Sequence, residues 1–244
     1  MIVATIYTDD QRNHDWHRLQ HLFLSETTGN FRLAAVFNGC TPSDFPGSES
    51  IATLGRRDSH LNCLQIVVEY LRQCGDESFL ILDSDCWPIK RGWVRILDKM
   101  LANRLYAAPV RTENYDLFPH PCAFYLRRPM LEHIDFNFSQ VPSLMGYATA
   151  DVGSAMPRSL EGEPIWLPLI RTNRWNPHPL AAAIYGHLFY HHGAGSRTPA
   201  FRSMRYGVYD HFLSPEEHRA IYADLTGQLL ARPRQYIRKL CDGK

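Results

Sequence analysis

The chain has 244 residues, 45% of them hydrophobic and 21% charged, a balance that excludes a largely disordered polypeptide. Its 26 basic and 25 acidic side chains leave no global field to favour nucleic acid or a membrane surface. No run approaches the roughly 18 consecutive apolar residues of a membrane span.

Residues 2–7, IVATIY, form an apolar run rich in β-branched residues and closed by Thr8-Asp9-Asp10, which predicts a buried opening strand. Over 12–25, Trp16, Leu19, Leu22 and Phe23 recur at spacings of three and four, the pattern of an amphipathic helix. His14, His17 and His21 ride this helix and are expected in solvent. A second strand is expected at 31–37, stopped by Asn38-Gly39, then a loop over 39–50 rich in Gly, Pro, Ser and Asp. Leu61, Leu64, Val67, Val68 and Leu71 predict a helix over 59–73 with Ser59 or Asp58 as N-cap. The run Phe79-Leu80-Ile81-Leu82 reads as a buried strand ending in Asp83-Ser84-Asp85. A helix is expected at 92–103 and strands at 105–110, 122–127 and 184–190. A last helix at 215–230 has Ser214 as N-cap and Pro215 at its first position.

Alternating strands and helices argue for an α/β fold, a mainly parallel sheet covered by helices on both faces. No repeat or linker divides the chain, so one domain over 1–244 is expected. The N-terminus lacks the basic region and long apolar stretch of a signal peptide, and a cytoplasmic location follows as the expectation. Cys40, Cys63, Cys74, Cys86, Cys122 and Cys241 form no C-x-x-C pair, so they are expected as reduced packing residues.

In an open parallel sheet, ligands bind beyond the carboxyl ends of the strands. Three polar clusters fall there: Thr8-Asp9-Asp10, Asn38-Gly39 and Asp83-Ser84-Asp85. In the third, two carboxylates one residue apart project to the same side of an extended chain and repel each other unless a cation neutralises them. Mg²⁺ or Mn²⁺ would take such oxygen ligands and keep positions open for phosphate. Arg57 and His60 precede a helix N-terminus, which favours phosphate. A further cluster, Tyr190-His191-His192-Gly193-Ala194-Gly195-Ser196-Arg197, joins paired histidines to a glycine-rich loop. There Arg197 is a candidate diphosphate clamp. One imidazole is a candidate metal ligand; His192, which abuts the glycines, is preferred and His191 is the alternative. From Arg197 to the end, nine basic and five acidic residues are interleaved with tyrosines. A solvated helical face explains that better than a surface for an anionic acceptor.

The stretch from Ser59-His60-Leu61-Asn62 to Asp83-Ser84-Asp85-Cys86-Trp87-Pro88 resembles the nucleotide-sugar glycosyltransferases of the GT-A fold. That family joins an amphipathic helix with an Asn near its start to a hydrophobic strand, a D-x-D and a nearby Pro. The resemblance covers residues 1–90. It implies a Rossmann-like GT-A domain, with a nucleotide-sugar-binding half over 1–110 and an acceptor-side half with a C-terminal helix over 111–244. It further implies a metal-dependent hexosyltransferase that uses a nucleoside diphosphate sugar, of UDP type. Asp83 and Asp85 would hold Mn²⁺ or Mg²⁺ with the C-terminal histidine. Thr8, Asp9, Asp10, Asn38, Arg57, His60, Asp83, Ser84 and Arg197 would contact the donor. Asp151 would serve as the general base of an inverting transfer, with an N-cap near Gly153 as its plainer role. The acceptor, whether glycan, lipid, polypeptide or nucleic acid, stays open, as does the oligomeric state. The alternatives are a non-catalytic nucleotide-binding or scaffold protein on the same fold and a nucleotidyltransferase. The last would carry a glycine-rich phosphate loop near the first strand, and Thr8-Asp9-Asp10-Gln11 is not one.

Overall fold

A computed structural model describes residues 1–10, 12–112, 117–134, 136–139, 152–178, 180–193 and 214–243. The chain opens with β1 (Ile2–Thr8), α1 (Asn13–Thr27), β2 (Arg32–Asn38), a 3-10 turn (Pro42–Asp44) and β3 (Glu49–Leu54). It continues through α2 (His60–Gln73), β4 (Ser78–Asp83), β5 (Cys86–Pro88), α3 (Trp93–Leu101), β6 (Tyr106–Pro109), β7 (Ala123–Arg127) and α4 (Arg128–His133). The remaining elements are β8 (Ser159–Leu160), β9 (Glu163–Pro164), β10 (Trp166–Leu169), β11 (Ala183–Tyr185), β12 (Phe189–His191), α5 (Pro215–Ala231) and α6 (Pro233–Asp242).

Among the described residues, seven strands form the central sheet in the order β10-β6-β7-β4-β1-β2-β3. All its pairings are parallel except those of β7, which runs antiparallel to β4 and β6. Pleating sends alternate residues of β1 to opposite faces. Ile2, Ala4 and Ile6 pack with Cys63, Leu64, Val67, Val68 and Leu71 of α2. Val3 packs with Leu24 of α1 and with Trp93, Leu97 and Leu101 of α3. Helices therefore cover both faces of a mainly parallel sheet, and the α/β reading holds. A second sheet, β11-β12-β5, is antiparallel and extends from the D-S-D turn.

Four local expectations change. The 39–50 segment contains the 3-10 turn and the start of β3, an edge strand whose exposed residues hid its period. The strand expected over 184–190 is a hairpin, β11 and β12, turned at Gly186 and His187, both with positive φ. The helix expected over 215–230 is α5, but it is not the last: α6 follows, divided from it at Arg232 and started by Pro233. His17 is buried rather than solvated, packed edge-on against Tyr7 and Phe45, and burial lowers its pKa to about 4. All six cysteines are free thiols. Among the described residues, no helix is long and apolar enough to cross a membrane.

Candidate metal centre

The D-S-D turn sits where β4 leaves the sheet, and its backbone is fixed from three sides. The Asp83 N–H donates to the carbonyl of Cys122 (3.0 Å), and the Asp85 carbonyl accepts from the His192 N–H (3.0 Å). The third support is Gln20, fully buried on α1. Its Nε2 donates to the carbonyls of Asp83 (3.1 Å) and Cys86 (3.0 Å), and its Oε1 accepts from Tyr7 Oη (2.7 Å). A buried amide with its polar atoms in use is held rigidly, because an unmade bond there would cost about 1–3 kcal/mol. Sequence reasoning missed Gln20. Its one signal is a polar residue beside the apolar stripe of α1.

Three side chains converge at this turn. Asp83, Asp85 and His191 each offer one ligand atom, all within 4.8 Å of one another. His191 Nε2 lies 3.5 Å from Asp85 Oδ1 and 3.8 Å from Asp83 Oδ2. Asp85 and His191 are buried, and Asp83 keeps about a fifth of its side chain in contact with solvent. His60, on the first turn of α2, places Nε2 3.4 Å from Asp83 Oδ1. The His120 ring stands 5.8 Å from that of His191, with its Nδ1 accepting the Cys122 N–H.

Burial alone would raise both carboxyl pKa values. His60, then His191 and His120, nevertheless hold Asp83 well below the usual carboxylate range, and His191 lowers Asp85. Burial opposes charge on His191, yet Cys122 and the Asp85 carboxylate lift its pKa well above that of a free imidazole. A protonated His191 would offset one of the two carboxylate charges, and a metal taking that nitrogen must displace its proton. Two carboxylates and one imidazole make a partial coordination shell of mixed oxygen and nitrogen donors. Such a set suits Mn²⁺ or Mg²⁺ with positions left for other ligands.

His192, the preferred ligand from sequence, is turned away from the carboxylates. It is fully buried with its ring nitrogens engaged, Nδ1 by Tyr190 Oη (2.6 Å) and Nε2 by Thr226 Oγ1 (2.9 Å). Because Thr226 donates its own hydrogen to the Tyr222 carbonyl, it accepts from His192, which fixes the neutral imidazole with its proton on Nε2. Burial lowers the His192 pKa to about 3. The structure brings His191, not its neighbour, to the carboxylates.

The other candidates ring the same edge with mixed roles. Thr8 Oγ1 accepts from Asn13 Nδ2 (2.6 Å), and Asp10 Oδ1 accepts the Arg12 N–H (3.0 Å), so both organise the start of α1. Asp9 is exposed and paired with Arg57 at 3.6 Å. Asn38 is buried and straps the loop before α2, donating to the Asp58 carbonyl (3.0 Å) and accepting its N–H (2.7 Å). Ser84 lies between the two carboxylates in the turn. Asp151 and Arg197 fall outside the described residues. Gly153, with φ near +92°, lies in a turn, and no helix starts there.

No family model matches the sequence, and no curated protein matches it. Solved structures do resemble it in part. The galactosyltransferase LgtC, in complex with donor and acceptor sugar analogues, aligns with a TM-score of 0.40 at 8% identity, over 55% of this chain and 60% of that one. The bifunctional glycosyltransferase WbbM aligns at 0.40 and 12% identity, over 54% of this chain and 32% of its own. HddC from Yersinia pseudotuberculosis aligns at 0.43 and 6% identity, over 69% of this chain and 89% of its own. Overlaps this partial carry no functional weight, which falls on the site's own geometry.

Proposed function

We propose that the chain is a metal-dependent glycosyltransferase of the GT-A type. It would move a sugar from a nucleoside diphosphate sugar, of UDP type, to an acceptor hydroxyl. The observation that carries this reading is the convergence of Asp83, Asp85 and His191 within 4.8 Å at the carboxyl end of a central parallel strand. That is where open α/β sheets bind ligands. A divalent ion held there would neutralise charge on the departing nucleoside diphosphate. His60 and Arg57, at and before the start of α2, with Asp9 and Ser84, would form the donor edge, which Thr8, Asp10 and Asn38 hold in place through their hydrogen bonds, and Arg197 is a proposed diphosphate contact. Asp151 is the proposed base: it would take the acceptor hydroxyl's proton as that oxygen attacks the anomeric carbon, with inversion.

The test is donor hydrolysis and transfer across UDP-sugars with Mn²⁺, with EDTA, and with Asp85→Asn. The expected result is turnover in Mn²⁺ alone, with EDTA and Asp85→Asn each lowering it at least about a hundredfold. Asp151→Asn should bind donor normally and lose transfer. Metal-dependent nucleotide binding without turnover of any donor would favour the non-catalytic nucleotide-binding alternative. Equal nucleotide affinity in Mn²⁺ and EDTA would remove the metal from the reading altogether.

A further inference from the structure

A groove of about 290 Å³ lies at the C-terminal end of α1, beyond Gln20, which holds the D-S-D turn from the middle of that helix. Helix α1 leaves the carboxyl end of β1 and runs back along the sheet, so Phe23, Glu26 and Thr27 lie about one to two turns beyond Gln20. The other walls are Ile89 and Arg91, just beyond β5, and one stripe of α6. That stripe is Arg234, Ile237, Arg238 and Cys241, spaced to fall on a single helical face.

The lining is divided by chemistry. Phe23 and Ile237 are buried and Ile89 is half-buried, which gives an apolar floor. Three guanidinium groups stand around it with Glu26 as the one acid. Glu26 orients two of them: its backbone carbonyl accepts from Arg91 Nε (3.1 Å), and its carboxylate accepts from Arg234 Nε (2.8 Å) and Nη2. Arg238 is exposed, and none of the described residues forms an ion pair with it. Each arginine carries five N–H donors, and among the described residues most of the fork on Arg91 and all of that on Arg238 is uncommitted. Three cations and one anion over an apolar floor attract a counter-anion that brings apolar surface with it.

We infer that this groove binds an anionic amphiphile, a phosphate or carboxylate head on an alkyl tail, with the head on Arg91 and Arg238 and the tail over Phe23, Ile89 and Ile237. The basic C-terminal residues noted in the sequence thereby have a specific place beside an apolar slot. None of these residues belongs to the metal centre.

The experiment is calorimetry in EDTA with hexyl phosphate, inorganic phosphate and hexanol, on the intact chain and on Arg91→Glu and Arg238→Glu. Hexyl phosphate should bind at least about tenfold more tightly than either half alone, and each charge reversal should weaken it at least about tenfold. Both arginines are exposed, so melting temperatures should stay close to the parent's, and Asp85→Asn should bind hexyl phosphate unchanged. Vesicles with and without an anionic phospholipid distinguish the source. Binding to both hexyl phosphate and anionic vesicles indicates a lipid headgroup, and binding to hexyl phosphate alone indicates a soluble metabolite; either outcome supports the groove. Hexyl phosphate binding no more tightly than inorganic phosphate, binding by both variants as tight as the parent's, or vesicle binding without hexyl phosphate binding would each overturn it.

Discussion

His191 and His192 are adjacent in sequence and opposite in role because side chains alternate across an extended chain. His191 faces the carboxylates of Asp83 and Asp85, whereas His192 faces the interior between Tyr190 and Thr226. The two alanine variants should therefore fail differently. His191→Ala should weaken Mn²⁺-dependent nucleotide binding at least about tenfold, because a ligand is lost, and should lower the metal-free melting temperature, because the carboxylates of Asp83 and Asp85 lose the cation between them. His192→Ala should cost about 3 kcal/mol or more of stability, because it leaves a cavity and strips partners from buried Tyr190 and Thr226. Denaturant unfolding and nucleotide titration on both variants check this. Intact Mn²⁺-dependent nucleotide binding in His191→Ala would reverse the assignment. The pairing was legible in the sequence, but the choice within it was not, since it depends on the direction in which β12 enters the second sheet.

At the scale of the elements, α5 is docked through a pair of buried histidines. His178 Nδ1 accepts the N–H groups of Leu180 and Ala181, each at 3.0 Å, and its Nε2 lies 2.8 Å from His218 Nδ1 on α5. With Nδ1 accepting twice, a second proton has no place to go. Burial, then His218 and Arg171, lower the His178 pKa to about 4. The folded state thus stays neutral while the unfolded chain titrates near 6.5. The contribution is fully present above pH 6.5 and is lost as pH falls from there toward 4, amounting to about 2 kcal/mol between pH 7 and 5. Thermal melts across that range should show the decline, and His178→Asn, whose Oδ1 can still accept from the loop, should make it shallower. An identical slope in the variant would place the acid sensitivity elsewhere. The Ser214 cap of α5 was readable locally, as the capping box with Glu217 shows. The histidine clamp was not, because His178 and His218 are forty residues apart.

For the whole molecule, the sheet order matters most. Placing β1 between β2 and β4 gathers the ends of all three on one edge, with Thr8 opposite Asn38 and Asp83 opposite Ile6, two residues back from Thr8. A cation bound there stabilises only the folded chain, since the unfolded one separates Asp85 from His191 by more than a hundred residues. At a Mn²⁺ concentration about a hundredfold above its dissociation constant, the gain is about 2.7 kcal/mol. For a chain of this size, that raises the melting temperature by about 5–10 °C. The shift should vanish in Asp85→Asn and should not appear with a monovalent salt of equal ionic strength. A Mn²⁺ shift that survives Asp85→Asn would mean that the ion binds elsewhere.

The sequence by itself determined the local features: the buried strands β1, β2 and β4, the amphipathic helices α1 and α2, the N-caps Ser59 and Ser214, and the carboxylate pair that closes β4. Each depends on residues within one or two turns of one another, where periodicity and capping act directly. Only the tertiary structure decided which histidine meets the carboxylates, that buried Gln20 fixes their turn, and that Arg91 stands beside Arg234 and Arg238. It also decided that Asn38, a candidate for the ligand, straps the loop before α2. Those relations join residues far apart in the chain, and they exist only once side-chain direction and strand order are set by burial of the two faces of the sheet.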